Sequence, residues 1–125
     1  MLDTHIWLWS LREPHRLGKR TIHALSQPEN ELWLSPVSLW EALMLERKGR
    51  ITILGDLGIW QAQATARFRE APLTFEVVQT AHQLALHSDP ADRFLAATAK
   101  VLGLTLVTAD QRLLGLGEIA TLANR

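Results

Sequence analysis

The chain has 125 residues, 47% of them hydrophobic and 21% charged, so it can bury one sizeable core and reads as a single unit spanning residues 1–125. Its 13 Lys and Arg balance 13 Asp and Glu, which excludes a global field drawing in nucleic acid, so any polyanion must be met by a local patch. The absence of cysteine excludes a disulfide framework and a thiolate metal site, and without a basic leader or an apolar run of bilayer length the chain reads as soluble and cytoplasmic, with no membrane partner.

In chain order, Met1 and Leu2 form a very short strand that leads through DTHIWLWSLRE into a first helix. GKRTIHALS has helical spacing up to the break at Pro28, Glu29 and Asn30, and ELWLS is a short strand. Ser35 and Pro36 then open a helix through VSLWEALMLERK that Gly49 ends. Asp56 caps a further helix through LGIWQAQATARFRE. After the short apolar PLTF, the spacing predicts another helix over EVVQTAHQLAL. DPADR opens the next, which Gly103 closes, and LTLVT reads as a buried strand from its length and β-branched content. IATL forms a last edge strand. Short apolar strands alternating with helices imply an α/β fold with a parallel sheet covered on both faces, because parallel neighbours need crossover connections.

In such a sheet the loops after the strand carboxyl ends gather along one edge, where ligands bind. Asp3 follows the first strand, Asp110 follows LTLVT, Asp92 lies in the first turn of a helix starting on the same side, and Glu41 lies in the second turn of the helix after ELWLS. Singly, Asp3 and Asp110 fit turn or cap residues. Asp89 fits an N-cap with Pro90 at the first helical position. Asp92, however, shares a helical face with Leu95, Ala96 and Ala99, so its carboxylate points inward. Glu41 is flanked at helical spacing by Val37, Met44 and Leu45, while the polar Glu46 and Arg47 lie elsewhere on the wheel.

Carboxylates crowded at a sheet edge repel one another, and burying one ionised is costly unless a cation or proton compensates. Mg²⁺ or Mn²⁺ suits such a set, since both prefer hard oxygen ligands and commonly keep several waters. Zinc suits it less: His5, His15, His23, His82 and His87 make no HExxH pair and read as packing, surface or supporting groups. An acidic, metal-loaded cleft points to phosphodiester hydrolysis. Other phosphoryl chemistries fit worse. There is no GxxxxGK[ST] loop, and an aspartyl-nucleophile phosphatase would want a second aspartate where His5 stands.

LDTHIWLW, SPVSLWEALMLERKGRI, DPADRFLAATA and LTLVTAD, in this order and spanning nearly the whole chain, resemble the PIN domain, and within it the VapC-type toxins of bacterial and archaeal toxin-antitoxin pairs. The resemblance implies a three-layer α/β/α fold with a short central parallel sheet and a Mg²⁺- or Mn²⁺-dependent endoribonuclease. It also implies a homodimer and a cognate antitoxin that covers the active cleft. Carried over by position, the catalytic and metal-holding quartet is Asp3, Glu41, Asp92 and Asp110. Thr4, Ser38 and Thr108 fall at hydroxyl positions that support these carboxylates, and Asp89, in the DPxDR form of the motif, is both cap and outer support. One departure is that only Met1 and Leu2 precede Asp3, where family members have several apolar residues. This predicts a shortened first strand and a weakened sheet centre, as a start site set slightly too far downstream would give.

The RNA-binding candidates are Arg47, Lys48 and Arg50 in ERKGR, together with Arg93 beside Asp92. Basic residues near a helix C-terminus also favour the dipole, and for the first three the two readings stand level. The five tryptophans read mostly as core or interface. Trp7 and Trp9 flank Leu8 in a helix apolar nearly all round, which predicts a face covered by a second protomer or the antitoxin. Two other functions stay open: an RNA-processing nuclease that is not a toxin, and a catalytically idle module whose acidic cleft holds a partner's arginine. All four acidic positions are filled, with no Asn or Ala among them, which favours activity.

Overall fold

Met1 and Leu2 join two pairs of strands into one surface. In this computed structural model, which describes residues 1–86 and 89–125, Leu2 bridges Val107 in parallel. The Val107 amide donates to the Met1 carbonyl and the Asp3 amide to the Val107 carbonyl, both at 2.9 Å, while the Leu2 amide donates to the Trp33 carbonyl at 3.1 Å. On one side β1 (Trp33–Leu34) pairs in parallel with β2 (Arg69–Glu70), with Leu34 opposite Glu70. On the other β3 (Leu106–Thr108) pairs in parallel with β4 (Thr121–Ala123), with Val107 opposite Leu122. The order across the surface is β2, β1, the N-terminal pair, β3, β4. The short first strand predicted from the sequence is therefore central, and backbone bonds to both neighbours hold it.

Alternation along these strands divides the apolar residues between two cores. Leu2, Leu34 and Val107 pack with Ile6, Trp7 and Leu8 of α1 (Thr4–Arg12), Ala42 of α3 (Pro36–Arg47) and Ala64 of α4 (Leu57–Thr65). Leu25 of α2 (Lys19–Ser26) packs against the same cluster. Met1 and Leu106 pack on the other face with Val77 and Ala81 of α5 (Phe75–Gln83), Leu95, Ala96, Ala97 and Ala99 of α6 (Pro90–Leu102), and Leu113 of α7 (Gln111–Leu114). The result is the three-layer α/β/α arrangement. Full burial of Ile6, Leu95 and Leu106 contributes about 1.5–3 kcal/mol each.

The helices opened by Ser35, Asp56 and Asp89 start where the sequence places their caps, and side-chain caps open others as well. Asp3, Ser35, Asp56, Thr74, Asp89 and Asp110 each accept a first-turn amide, and Pro36 and Pro90 open their helices. Gly103 ends α6 at φ +64°, a conformation that favours glycine, with the Leu104 amide closing on the Ala99 carbonyl at 2.9 Å. Gly18 is required for a different reason: a Cβ there would come within 1.7 Å of the Arg125 backbone.

Three expectations change. The helix opened by Asp56 ends at Thr65 rather than running to Glu70, and the Thr65 hydroxyl turns back to the Gln61 carbonyl at 2.8 Å. Arg69 and Glu70 instead extend as an edge strand, with the Arg69 amide on the Leu32 carbonyl and the Ala71 amide on the Leu34 carbonyl, both at 2.8 Å. A single helical turn, α7, follows Asp110 where none was expected. The face around Trp7 is covered within the chain: Trp7 is fully buried, its Nε1 donates to the Ala64 carbonyl at 2.9 Å, and its ring lies 5.9 Å from that of Trp60. Trp9 remains half-buried with the Arg16 guanidinium 4.2 Å over its ring. The role read for His87 lies outside the described residues. Among the described residues, no helix is long and apolar enough to cross a membrane.

Candidate functional site

Asp3 and Asp110 follow the parallel strands at their carboxyl ends, where one hydroxyl joins them. Thr108, the last residue of β3, donates to Asp3 Oδ2 at 2.6 Å and accepts the Asp110 amide at 3.0 Å. Asp3 is buried, and its Oδ1 accepts the Thr4 amide at 2.7 Å while capping α1. Thr4 reaches across to α3, where its hydroxyl donates to Glu41 Oε1 and pairs with the Ser38 hydroxyl at 2.9 Å. Thr4 has one hydroxyl proton, so with that proton on Glu41 it is Ser38 that donates to Thr4. Of the hydroxyls predicted to support the carboxylates, Thr4 and Thr108 lie against them and Ser38 acts through Thr4.

Asp92 enters from α6. Its side chain is only 13% exposed, and its helical neighbours Leu95, Ala96 and Ala99 are buried against the sheet, as the wheel predicts. Asp89 caps the same helix, its Oδ1 accepting the Ala91 amide at 3.0 Å and the Asp92 amide at 3.4 Å.

The electrostatics tie these groups into one site. Burial pushes the Asp92 carboxyl up to about 7, reinforced by the charges of Asp89, Asp3, Asp110 and Glu41. Burial also raises Asp3 against the opposing hydrogen bond from Thr108, and raises Glu41 against the hydrogen bond from Thr4. His5, exposed beside them, favours the ionised form of both. Asp110 goes the other way and is lowered, chiefly by its hydrogen bond from Arg112.

Arg112, which the sequence reading did not single out, lies over the outer carboxylates. Its Nε donates to Asp110 Oδ1 at 3.3 Å and its Nη2 to Asp110 Oδ2 at 3.1 Å, while Nη2 stands 3.8 Å from Asp92 Oδ2. The available signal was its place two residues after Asp110, which a cap brings within reach of its own carboxylate.

The donor chemistry fits a hard divalent cation: oxygen donors throughout, partly open to water, with Asp3, Glu41 and Asp92 each held less favourably ionised by a neighbouring carboxylate. The side chains as placed are tied to hydroxyls and to Arg112. Among the described residues, no three His, Asp or Glu side chains stand close enough to hold one metal ion.

A cavity of about 580 Å³ runs beside the carboxylates between α3 and α6, bordered by Thr4, His5, Glu41 and Asp89 and floored by apolar side chains including Val37, Met44 and Phe94. Trp40 stands on its wall, 59% exposed. Of the candidate RNA-binding residues, Arg47, Lys48 and Arg50 are exposed at the end of α3, and Lys48 borders the cavity. Arg93 is not brought to that surface. Its guanidinium donates to the carbonyls of Leu86 at 2.5 Å, His82 at 3.1 Å and Leu84 at 3.2 Å, closing the end of α5.

Comparison with known proteins supplies the wider setting. Residues 1–119 match the family model described as "PIN domain". The chain is 34% identical over 115 residues to Ribonuclease VapC22 of Mycobacterium tuberculosis, covering 90% of this chain and 88% of that protein. Among solved structures, VapBC2 from Rickettsia felis bound to a DNA fragment from their promoter contains a chain that superposes with a TM-score of 0.74 at 16% identity, covering 98% of this chain and 96% of that one. A chain of FitAcB from Neisseria gonorrhoeae superposes with a TM-score of 0.62 at 21% identity, covering 96% and 94%. At these identities the solved structures establish the shared fold.

Proposed function

The chain belongs to the PIN domain family, and on that premise we propose that it is a divalent-metal-dependent endoribonuclease, a single domain that hydrolyses RNA phosphodiester bonds as the toxin of a toxin-antitoxin pair. The observation that carries the reading is Asp92, a largely buried carboxylate in the field of Asp3, Glu41, Asp89 and Asp110. Such an arrangement costs folding free energy and is kept where it serves chemistry.

Asp3, Glu41, Asp92 and Asp110 would hold one or two Mg²⁺ or Mn²⁺ ions. The chemistry supplied at that position would be a water of lowered pKa, neutralisation of the phosphate charge and stabilisation of the leaving oxyanion. Thr108 fixes the orientation of Asp3, and Thr4 with Ser38 fixes that of Glu41, so neither carboxylate has to be ordered at the moment of reaction. Asp89 secures the turn that aims Asp92 inward. Arg47, Lys48 and Arg50 would take RNA phosphates at the end of α3, where Lys48 borders the cavity. A homodimer, a cognate antitoxin seated over the cleft and a cytoplasmic setting complete the reading. An antitoxin partner is supported by the VapBC2 and FitAcB structures, which share this fold.

The test is cleavage of a structured RNA pool by purified protein with Mn²⁺, Mg²⁺ or EDTA, beside Asp92→Asn and Asp110→Asn proteins checked for folding. Metal-dependent cutting that both substitutions abolish supports the proposal. Equal cutting by wild type and variants overturns it. One observation favours the idle-module reading as the second choice: the outer carboxylates already accept a guanidinium, that of Arg112. Absence of cutting with either metal, together with absence of metal binding, would turn the choice to that reading.

A further inference from the structure

Arg112 belongs neither to the core nor to the basic surface at the end of α3, yet it makes three contacts to Asp110 and lies beside Asp92. Its backbone amide donates to Asp110 Oδ1 at 2.8 Å, and the guanidinium adds Nε to Oδ1 and Nη2 to Oδ2. Both oxygens of Asp110 are thereby engaged in the forked geometry that guanidinium groups make with carboxylates. The same Nη2 lies 3.8 Å from Asp92 Oδ2, so one positive charge spans the two outer carboxylates.

Building on the metal-centre reading above, we propose that Arg112 is the site's internal counter-cation. It competes with the divalent ion for Asp92 and Asp110 and so sets how tightly the metal binds.

On Asp110 the guanidinium fork and the capping amide take lone pairs that a divalent ion would need, and a cation left beside Asp92 and a doubly charged ion repels that ion. Arg112 is also free to leave: its side chain is 61% exposed, whereas Arg93 is held by three carbonyls and cannot swing aside without unmaking the end of α5. An exposed pair of this kind is weak enough to exchange yet present in the metal-free protein. The backbone amide of residue 112 caps through Asp110 whatever side chain it carries, so substitution there keeps the start of α7.

The opposite role, in which Arg112 orients Asp110 for the metal, makes the opposite prediction. Mn²⁺ is titrated calorimetrically at low ionic strength into wild type, Arg112→Gln and Arg112→Lys, with Asp92→Asn marking the site. Competition predicts that Arg112→Gln binds Mn²⁺ roughly three- to tenfold more tightly, the size expected for removing one exposed cation beside a divalent ion. Arg112→Lys, which keeps the charge without the fork, should fall between wild type and Arg112→Gln. The Mn²⁺-induced rise in Tm should order the proteins in the same way. Unchanged or weaker binding by Arg112→Gln overturns the competition. If instead neither wild type nor Arg112→Gln binds Mn²⁺, or Asp92→Asn binds it equally well, the metal-centre reading itself fails and this proposal falls with it.

Discussion

The hydroxyl of Thr108 donates to the Oδ2 of Asp3 at 2.6 Å across 105 positions of sequence, and it is the buried link between the first and last strands that bring carboxylates to the site. Thr108 also receives the Asp110 amide, so one side chain aligns two of the four acidic residues. Thr108→Val should leave a buried carboxylate oxygen without its donor and lower stability by about 1–3 kcal/mol. Thr108→Ser should recover most of the loss. Denaturant midpoints for the three proteins decide it, and equal midpoints would mean that Asp3 is oriented by its Thr4 amide alone.

Asp92 gives the metal-free protein a pH dependence of defined sign. Its carboxyl titrates near 7 when folded and near the ordinary aspartate value of about 3.9 when unfolded. Between those values the folded state binds the extra proton, so this group's contribution falls as pH rises from about 4 to about 7 and is level above that. Asp110 is lowered instead, and its stabilisation is lost as pH falls into the acid range. Asp92→Asn should therefore raise the Tm of metal-free protein at pH 8 relative to wild type while abolishing metal-dependent cleavage. A Tm difference that does not change between pH 5 and pH 8 would remove Asp92 as the source.

Arg47, Lys48 and Arg50 are exposed at the end of α3, with Lys48 on the border of the cavity. Replacing all three by Ala should weaken RNA binding by roughly tenfold or more at moderate salt and flatten its salt dependence, with stability nearly unchanged. Filter binding at several salt concentrations measures both. An unaltered salt slope would return these cations to the helix dipole.

Arg93 should behave in the opposite manner. Its guanidinium satisfies carbonyls at the end of α5, so Arg93→Ala should lower stability by about 1–3 kcal/mol. RNA affinity per folded molecule should stay unchanged. Loss of RNA affinity without loss of stability would restore Arg93 to the binding surface.

Much of the architecture was legible because its determinants are short-range. The caps at Asp3, Ser35, Asp56 and Asp89 act through hydrogen bonds to amides one to three residues on, the prolines at the first helical positions through their fixed φ, and Gly103 at the end of α6 through its positive φ. The inward aim of Asp92 follows from helical spacing alone, since Leu95, Ala96 and Ala99 lie on its face and are buried. The four carboxylates could be placed along one edge because parallel strands put the loops after them on the same side.

What the tertiary structure decided depends on partners far apart in the chain. Arg69 and Glu70 continue a helical pattern in sequence, yet extended backbone wins because the carbonyls of Leu34 in β1 and of Leu32 just before it stand open to their segment. Trp7 looked like an interface residue until α4 presented Trp60 and the Ala64 carbonyl to it. Arg93 and Arg112 carry the same charge. Packing of α5 against α6 commits one to carbonyls, and the turn after β3 lays the other over Asp110 and Asp92. Sequence determined which residues begin helices, which faces are apolar and which side the acids occupy, since these follow from backbone periodicity and local hydrogen bonds. Which polar group meets which was decided only by folding, because a charge pairs with whatever the packed layers bring within about 4 Å of it.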